Sequence, residues 1–140
     1  CSSRYLRNYM EKLSGPFVDR FSILLLTQNW FSSSKKEDLV SLDTILREIE
    51  DTKNYIFQTR KQKFVNENVA EEEIISHFSQ QSDYDFLPTF RSRRRRNSFL
   101  KVARTFADID CSDQIYSEHI VKSLKITYEN FNHVRDYLSF

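Results

Sequence analysis

One glycine, Gly15, and two prolines, Pro16 and Pro88, are all that 140 residues offer for tight turns. Sheet-rich domains use glycine at hairpins and bulges, so a chain this poor in it is expected to fold as helices joined by polar connectors. The same scarcity excludes a phosphate-binding loop of the G-x-x-x-x-G-K-[ST] kind, which needs two glycines within six positions. These residues cannot cradle the β- and γ-phosphates of a nucleotide by themselves. The length suits one modest domain with a real core.

Charge is distributed unevenly. The net charge is only +1, yet "RSRRRR" at residues 91 to 96 places five arginines in six positions. Acids elsewhere, such as Glu71, Glu72 and Glu73, compensate the run, so it is a local feature and does not imply general affinity for nucleic acid. The two cysteines, Cys1 and Cys111, show none of the dense spacing of a secreted disulfide framework. A cytoplasmic location fits. The most apolar stretch, "FSILLL" from Phe21 to Leu26, is far shorter than the roughly 20 residues of a membrane-crossing helix, so no span and no signal peptide are expected. A first residue of Cys1, with no initiator methionine, reads as the edge of a piece of a longer chain.

Apolar spacing supplies the elements. Tyr5, Leu6, Tyr9, Met10 and Leu13 line one face of a short helix stopped by "SGP". "RFSILLLTQ" reads as a strand, and "WFSSSKKED" is a serine-rich connector. From about residue 35 onward only helices are expected. The longest covers Leu42 to Lys63, with Asp43 as N-cap and an apolar face of Ile45, Leu46, Ile49, Ile56 and Phe57. "EEEIISHFSQQ" is a shorter helix with an acidic first turn, and "SDYDFLPTF" a loop. Another helix starts near the arginines and buries Phe99, Leu100, Val102, Ala103, Phe106, Ala107 and Ile109 until "DCSDQ" breaks it. "YSEHIVKSLKIT" follows with Ser117 as N-cap, and Phe131, Val134 and Leu138 mark a last helix. Five or six short helices around one core is the bottom-up reading.

Two stretches carry a family resemblance. "YMEKLSGPFVDRF" (residues 9 to 21) resembles the Y-x-x-K-[IL]-S-G-P-[LF]-[LV]-D-R-[IF] signature of the magnesium-chelatase-like AAA+ ATPases, the family that includes the bacterial competence protein ComM. "LKVARTFADIDCSDQIYSEHI" (residues 100 to 120) resembles the lid helix of that family, L-K-V-A-R-T-I-A-D-L, with the polar turn and I-x-x-x-H-[IV] that follow it. The resemblance implies a mainly α fold: a small helical bundle, the AAA+ lid, preceded by a short helix and one strand left from the nucleotide-binding α/β core. Residues 1–34 would be the end of that core and residues 35–140 the lid domain. It further implies a full-length protein that binds ATP and magnesium, mainly through residues outside this stretch, and that works as a homo-oligomeric ring, a hexamer, on DNA or a protein client.

The resemblance also suggests roles. Arg20, in the S-G-P-x-x-D-R motif, matches the candidate arginine finger, which reaches a neighbouring subunit's ATP. The chemistry requires a cation that cannot deprotonate and can bind the γ-phosphate bidentately as charge builds on it. Without the motif, Arg20 reads as an ordinary arginine paired with Asp19 or another nearby acid. In the pattern S-x-R-x-x-x-R-x-L-K-V-A-R-T the first arginine, the usual sensor-2 residue, falls on Arg94. The second falls on Ser98, and the position after D-R-F holds Ser22 where an aspartate is usual. Residues on a helix turn by about 100°, so Arg93, Arg94, Arg95 and Arg96 point four ways and cannot all meet one phosphate. Arg91, Arg93, Arg95 and Arg96 remain candidates for other phosphate or interface contacts. A rival reading makes Arg91 to Arg96 a nucleic-acid contact, and a third makes the whole a structural interaction domain. Arg104 is expected to pair with Asp108 at i+4. His77, His119 and His133 read as scattered surface or part-buried histidines, with no metal site.

Overall fold

A computed structural model gives the fold and describes residues 15–25, 40–80, 87–90 and 92–133. Over these residues the protein is mainly helical. Its α-helices are α1 (Gly15–Val18), α2 (Leu42–Asn54), α3 (Glu71–Ser76), α4 (Arg93–Ile109) and α5 (Ser117–Leu124). π-helical turns continue α2 over Tyr55–Thr59 and α5 over Lys125–Glu129, and Asn66–Asn68 forms a 3₁₀ turn. Among the described residues no helix is long and apolar enough to cross a membrane.

Helix α4 is the centre of the core because its inward face combines bulk with small side chains. Phe99 and Leu100 are fully buried, and Ala103 and Ala107 let α5 approach closely. Ile74, Phe78, Ile115 and Ile120 close the cluster from α3, the loops and α5. Truncating a phenylalanine so enclosed costs about 3–5 kcal/mol, the transfer term plus the cavity left behind. Two hydroxyls serve the helices inside this layer: Ser123 Oγ donates to the Phe99 carbonyl at 2.8 Å, and Thr127 Oγ1 to the Ser123 carbonyl at 2.7 Å. Val102 and Phe106 are half-buried and Ile109 is exposed, so the periodic face was drawn one edge too wide.

Four expectations need correction. The strand read over "RFSILLLTQ" forms no ladder among its described residues. With no neighbouring strand there, the Leu24 N–H reaches the Ile126 carbonyl at 3.0 Å and the Leu24 carbonyl accepts from Asn130 Nδ2 at 2.6 Å. Among the described residues the parallel pairing is a single bridge between Phe78 and Ile115. Second, α2 is capped by Ser41, whose Oγ accepts from the Thr44 N–H at 3.1 Å, and Asp43 sits inside the first turn. Third, the apolar face of α2 points outward: Leu42, Ile45, Leu46 and Ile49 are exposed, and only Ile56, in the π-helical turn, is buried. Periodicity reports an apolar face, not what covers it. Fourth, the N-cap of α5 is Tyr116, not Ser117. The first expected helix, the 34/35 boundary, residues 81–86 and the stretch from Val134 onward lie outside the described residues.

Candidate functional site

The arginine run meets the head of α4, where a helix carries the positive end of its dipole and unpaired N–H groups. No acid lies in its first turn. The compensation comes from across the chain. Ser92, inside the run, is the N-cap: its Oγ accepts from the Arg95 N–H at 3.2 Å and donates to Asp19, with both carboxylate oxygens at 3.2 Å. Asp19 thereby supplies the negative charge that the local sequence lacks.

Arg95 turns inward and is only 8% exposed. Its Nε donates to Asp19 Oδ1 at 3.1 Å, and its two terminal nitrogens donate to the carbonyls of Phe21 at 2.9 Å and Val18 at 2.8 Å. The guanidinium carbon lies 3.3 Å from the Phe131 ring centroid, a stacked cation–π contact. Burial pulls the Arg95 pKa below the ordinary guanidinium value, and Asp19 opposes that pull. Its nitrogens are thus engaged within the fold, which is where the structure places this candidate phosphate or interface residue. Arg96 forms an ion pair with Glu71 at 2.9 Å, across to α3.

Arg93 and Arg94 face outward, as does Arg20. Together with Lys101 they line one open groove of about 690 Å³, which also touches Glu67 and Asn97. Asp19 is taken by Arg95 and Ser92, and no ion pair between Arg20 and Asp19 forms among the described residues. Lys101 Nζ is also within hydrogen-bond reach of the Glu67 carbonyl. Chemically, the groove offers several guanidiniums and an ammonium to one solvent-open space, a surface for an anion. Arg91 lies outside the described residues.

The opposite end of α4 is closed. Arg104 and Asp108 are fully buried and form the expected i,i+4 pair, Nη2 to Oδ1 at 2.9 Å. Arg60 Nη1 reaches the same oxygen at 2.8 Å, and Asn66 Nδ2 donates to Oδ2 at 2.7 Å. Arg104 Nη1 also holds the Asp113 carbonyl at 2.7 Å, and the Ser112 carbonyl accepts from its Nη2. Burial pulls the Arg104 pKa down, and the Asp108 charge opposes it. The Tyr55 hydroxyl donates to Asp113 Oδ1 at 2.6 Å; desolvation, with that hydrogen bond second, pushes its pKa up to about 12.

His119 proves buried, which corrects the reading of a surface or part-buried residue. Its Nδ1 accepts from the Tyr116 N–H at 3.0 Å, capping α5, so Nε2 carries the hydrogen and faces Asp110 Oδ2 at 3.2 Å. Asp110, Glu118 and His119 thus gather three ligand-type atoms within 4.8 Å. A backbone donor already fills Nδ1, and the Lys122 ammonium sits 3.1 Å from Asp110, which explains the cluster by capping and ion pairing. His77 is half-buried beside Arg60, and His133 is exposed.

Sequence reasoning missed the Asp19–Arg95–Phe131 assembly and the recruitment of Arg60 and Asn66 by Asp108. No local signal announces them. Two of the positions that depart from the resembled pattern, Ser22 and Ser98, touch through their hydroxyls at 3.3 Å.

Compared with known proteins, the chain matches no family model. It is 30% identical over 133 residues to the uncharacterized protein YifB of Salmonella typhimurium, an alignment that covers 89% of this chain and 26% of that protein. The chain spans about a quarter of the length of this curated relative.

Proposed function

We propose that these residues are the arginine-bearing helical lid portion of a longer magnesium-chelatase-like AAA+ ATPase, which works in the cytoplasm as a hexameric ring and uses ATP and magnesium to remodel DNA or a protein client. The observation that carries this reading is that Arg20 and Arg94, the two residues matching the arginine finger and sensor 2, line one groove. They do so while Arg95 and Arg96, their neighbours in the run, are taken up by Asp19 and Glu71. The match to a quarter of a much longer relative supports a lid portion rather than a complete enzyme.

The chemistry follows from the groove. A γ-phosphate leaving ATP spreads negative charge over its oxygens, and positioned guanidiniums stabilise that charge without any proton transfer. Arg20 and Arg94 supply the charge. The phosphate cradle and the magnesium ligands belong to the rest of the longer chain, since a single glycine rules out a Walker A loop here. Because both arginines line one groove, they act on the same nucleotide, at a boundary between subunits.

The test is ATP turnover by the full-length protein, mixing wild-type subunits with Arg20→Ala subunits in varying ratio. The Arg20→Ala variant is expected to lose about 10³-fold or more in kcat with nucleotide binding retained. Activity of mixtures should fall more steeply than the mutant fraction, because each site borrows an arginine. Unchanged turnover in the variant sinks the assignment. A salt-sensitive affinity for DNA that collapses on replacing Arg93 and Arg94, without any ATPase defect, would transfer the groove to a nucleic-acid backbone instead.

A further inference from the structure

Arg95 lies next to Arg94 on α4 but has the opposite fate, and its acceptors share one property. They are Val18, Asp19 and Phe21, residues on both sides of Arg20. We propose that Arg95 is the positioning residue for Arg20: its guanidinium fastens the turn on either side of Arg20 to the head of α4, and so aims a side chain that it never touches.

Other bonds hold the segment further along, from Leu24 to Ile126 and Asn130 and from Ser22 to Ser98, but at the turn itself Arg95 makes most of the tertiary bonds among the described residues. The turn's own backbone bonds include those from the Arg20 N–H to the Phe17 carbonyl at 3.1 Å and from the Phe21 N–H to the Val18 carbonyl at 3.2 Å. Phe17, Phe21 and Ile23 are exposed and give no buried apolar anchor. Arg95 supplies one. Its fork presents donors in three directions in one plane, the stem crosses to the turn, and Phe131 stacks on the guanidinium from α5's continuation. Ser92 adds a hydroxyl to the same carboxylate, Asp19. A lysine could satisfy one of these acceptors but not the planar set. The result is that Arg20 is fixed to the helix that also carries Arg93 and Arg94, while its own guanidinium stays in the groove.

This inference rests on the proposed ATPase reading only for its kinetic consequence, and the experiment separates the two. In the full-length protein, Arg95→Met keeps an apolar stem against Phe131 and removes the fork; Arg95→Lys keeps the charge alone. Amide hydrogen exchange at Arg20 and Phe21 is expected to quicken by about 10-fold or more in both variants, while Ala103 and Ala107 in the middle of α4 keep their protection. The kcat for ATP is expected to fall by about 10²-fold with KM little changed, the signature of a misplaced transition-state group. Adding Arg20→Ala to Arg95→Met should then cost far less than Arg20→Ala does alone, because the two act as one unit.

Unchanged exchange at Arg20 and Phe21 overturns the proposal. So does faster exchange along all of α4, which would make Arg95 a plain core residue, and so does full additivity with Arg20→Ala. Should Arg95→Met not fold, Asp19→Asn removes one charge without changing shape and is expected to give a smaller effect of the same sign at the same amides. If Arg20→Ala leaves turnover unchanged, the ATPase reading fails, and exchange at the turn alone decides whether Arg95 holds it.

Discussion

At the C-terminal end of α4, Asp108 draws Arg60 and Arg104 into a dry cluster in which all three side chains are 6% exposed or less. At the N-terminal end, Arg93 and Arg94 stand in solvent within a turn of the buried Arg95. One helix thus carries arginine as structure at its tail and as an open cationic surface at its head. The difference lies in which arginines a carboxylate can reach. Burying a guanidinium is tolerable only when paired and hydrogen-bonded, and Asp108 and Asp19 each do this for the arginines beside them. Arg20, Arg93 and Arg94 have no such acid among the described residues, so they are left to the groove.

The largest effect expected is at the closed end. Asp108→Ala leaves two buried guanidiniums and the Asn66 amide without their acceptor, and should cost about 3–5 kcal/mol in urea unfolding. A loss below about 1 kcal/mol would show that water enters the cluster and that the two ends are alike.

Next comes the contact between Ser22 and Ser98. Ser98→Arg alone introduces a poorly accommodated charge, and Ser22→Asp supplied with it should recover stability, with a coupling of about 0.5–3 kcal/mol in a double-mutant cycle. Simple additivity would mean that the two positions do not interact.

Cys111 follows the tail of α4 with φ 50°, in the left-handed region where a side chain is strained. Cys111→Gly should raise stability by about 1 kcal/mol, read as a higher unfolding midpoint. A fall instead would mean that the thiol side chain contributes packing despite its exposure.

The closed end also has a pH signature. Desolvation first, then the charges of Arg60 and Arg104, lower the His77 pKa from the ordinary 6.5, against the Asp113 carbonyl and Glu73. A base whose folded pKa is depressed favours folding in its neutral form. Its contribution is present above pH 6.5 and is lost as pH falls through the lower folded value. His77→Gln should flatten that acid limb; an unchanged limb would assign it to the carboxylates.

The smallest effect belongs to the open end. Arg93→Ala and Arg94→Ala should shift stability by no more than about 0.5 kcal/mol. A larger loss would reveal that these arginines are structural after all, and the contrast between the two ends would vanish.

Local chemistry made part of this readable. The 3.6-residue rhythm of Phe99, Leu100, Ala103 and Ala107 announces α4 and its inward face, and the i,i+4 spacing announces the Arg104–Asp108 pair. The acidic first turn of α3 was equally plain. What was hidden depends on separation along the chain: Asp19 meets Arg95 across 76 residues, and Arg60 meets Asp108 across 48. The N-cap Ser92 was overlooked because it sits among arginines, and capping chemistry there is completed by a carboxylate from another segment. The outward face of α2 shows the converse, since its apolar rhythm is as regular as that of α4 and yet lies in solvent.

By itself, then, the amino-acid sequence determined that this chain is helical, where most of its helices run, and that no phosphate loop lies within it. These follow from glycine content and from side-chain spacing along a single helix. Only the tertiary structure decided which arginines are buried and which are offered outward. Arg93 to Arg96 have the same local chemistry; their fates separate because the energy of a charge depends on how far it is removed from water and on which distant carboxylate stands beside it, and both are properties of the folded chain.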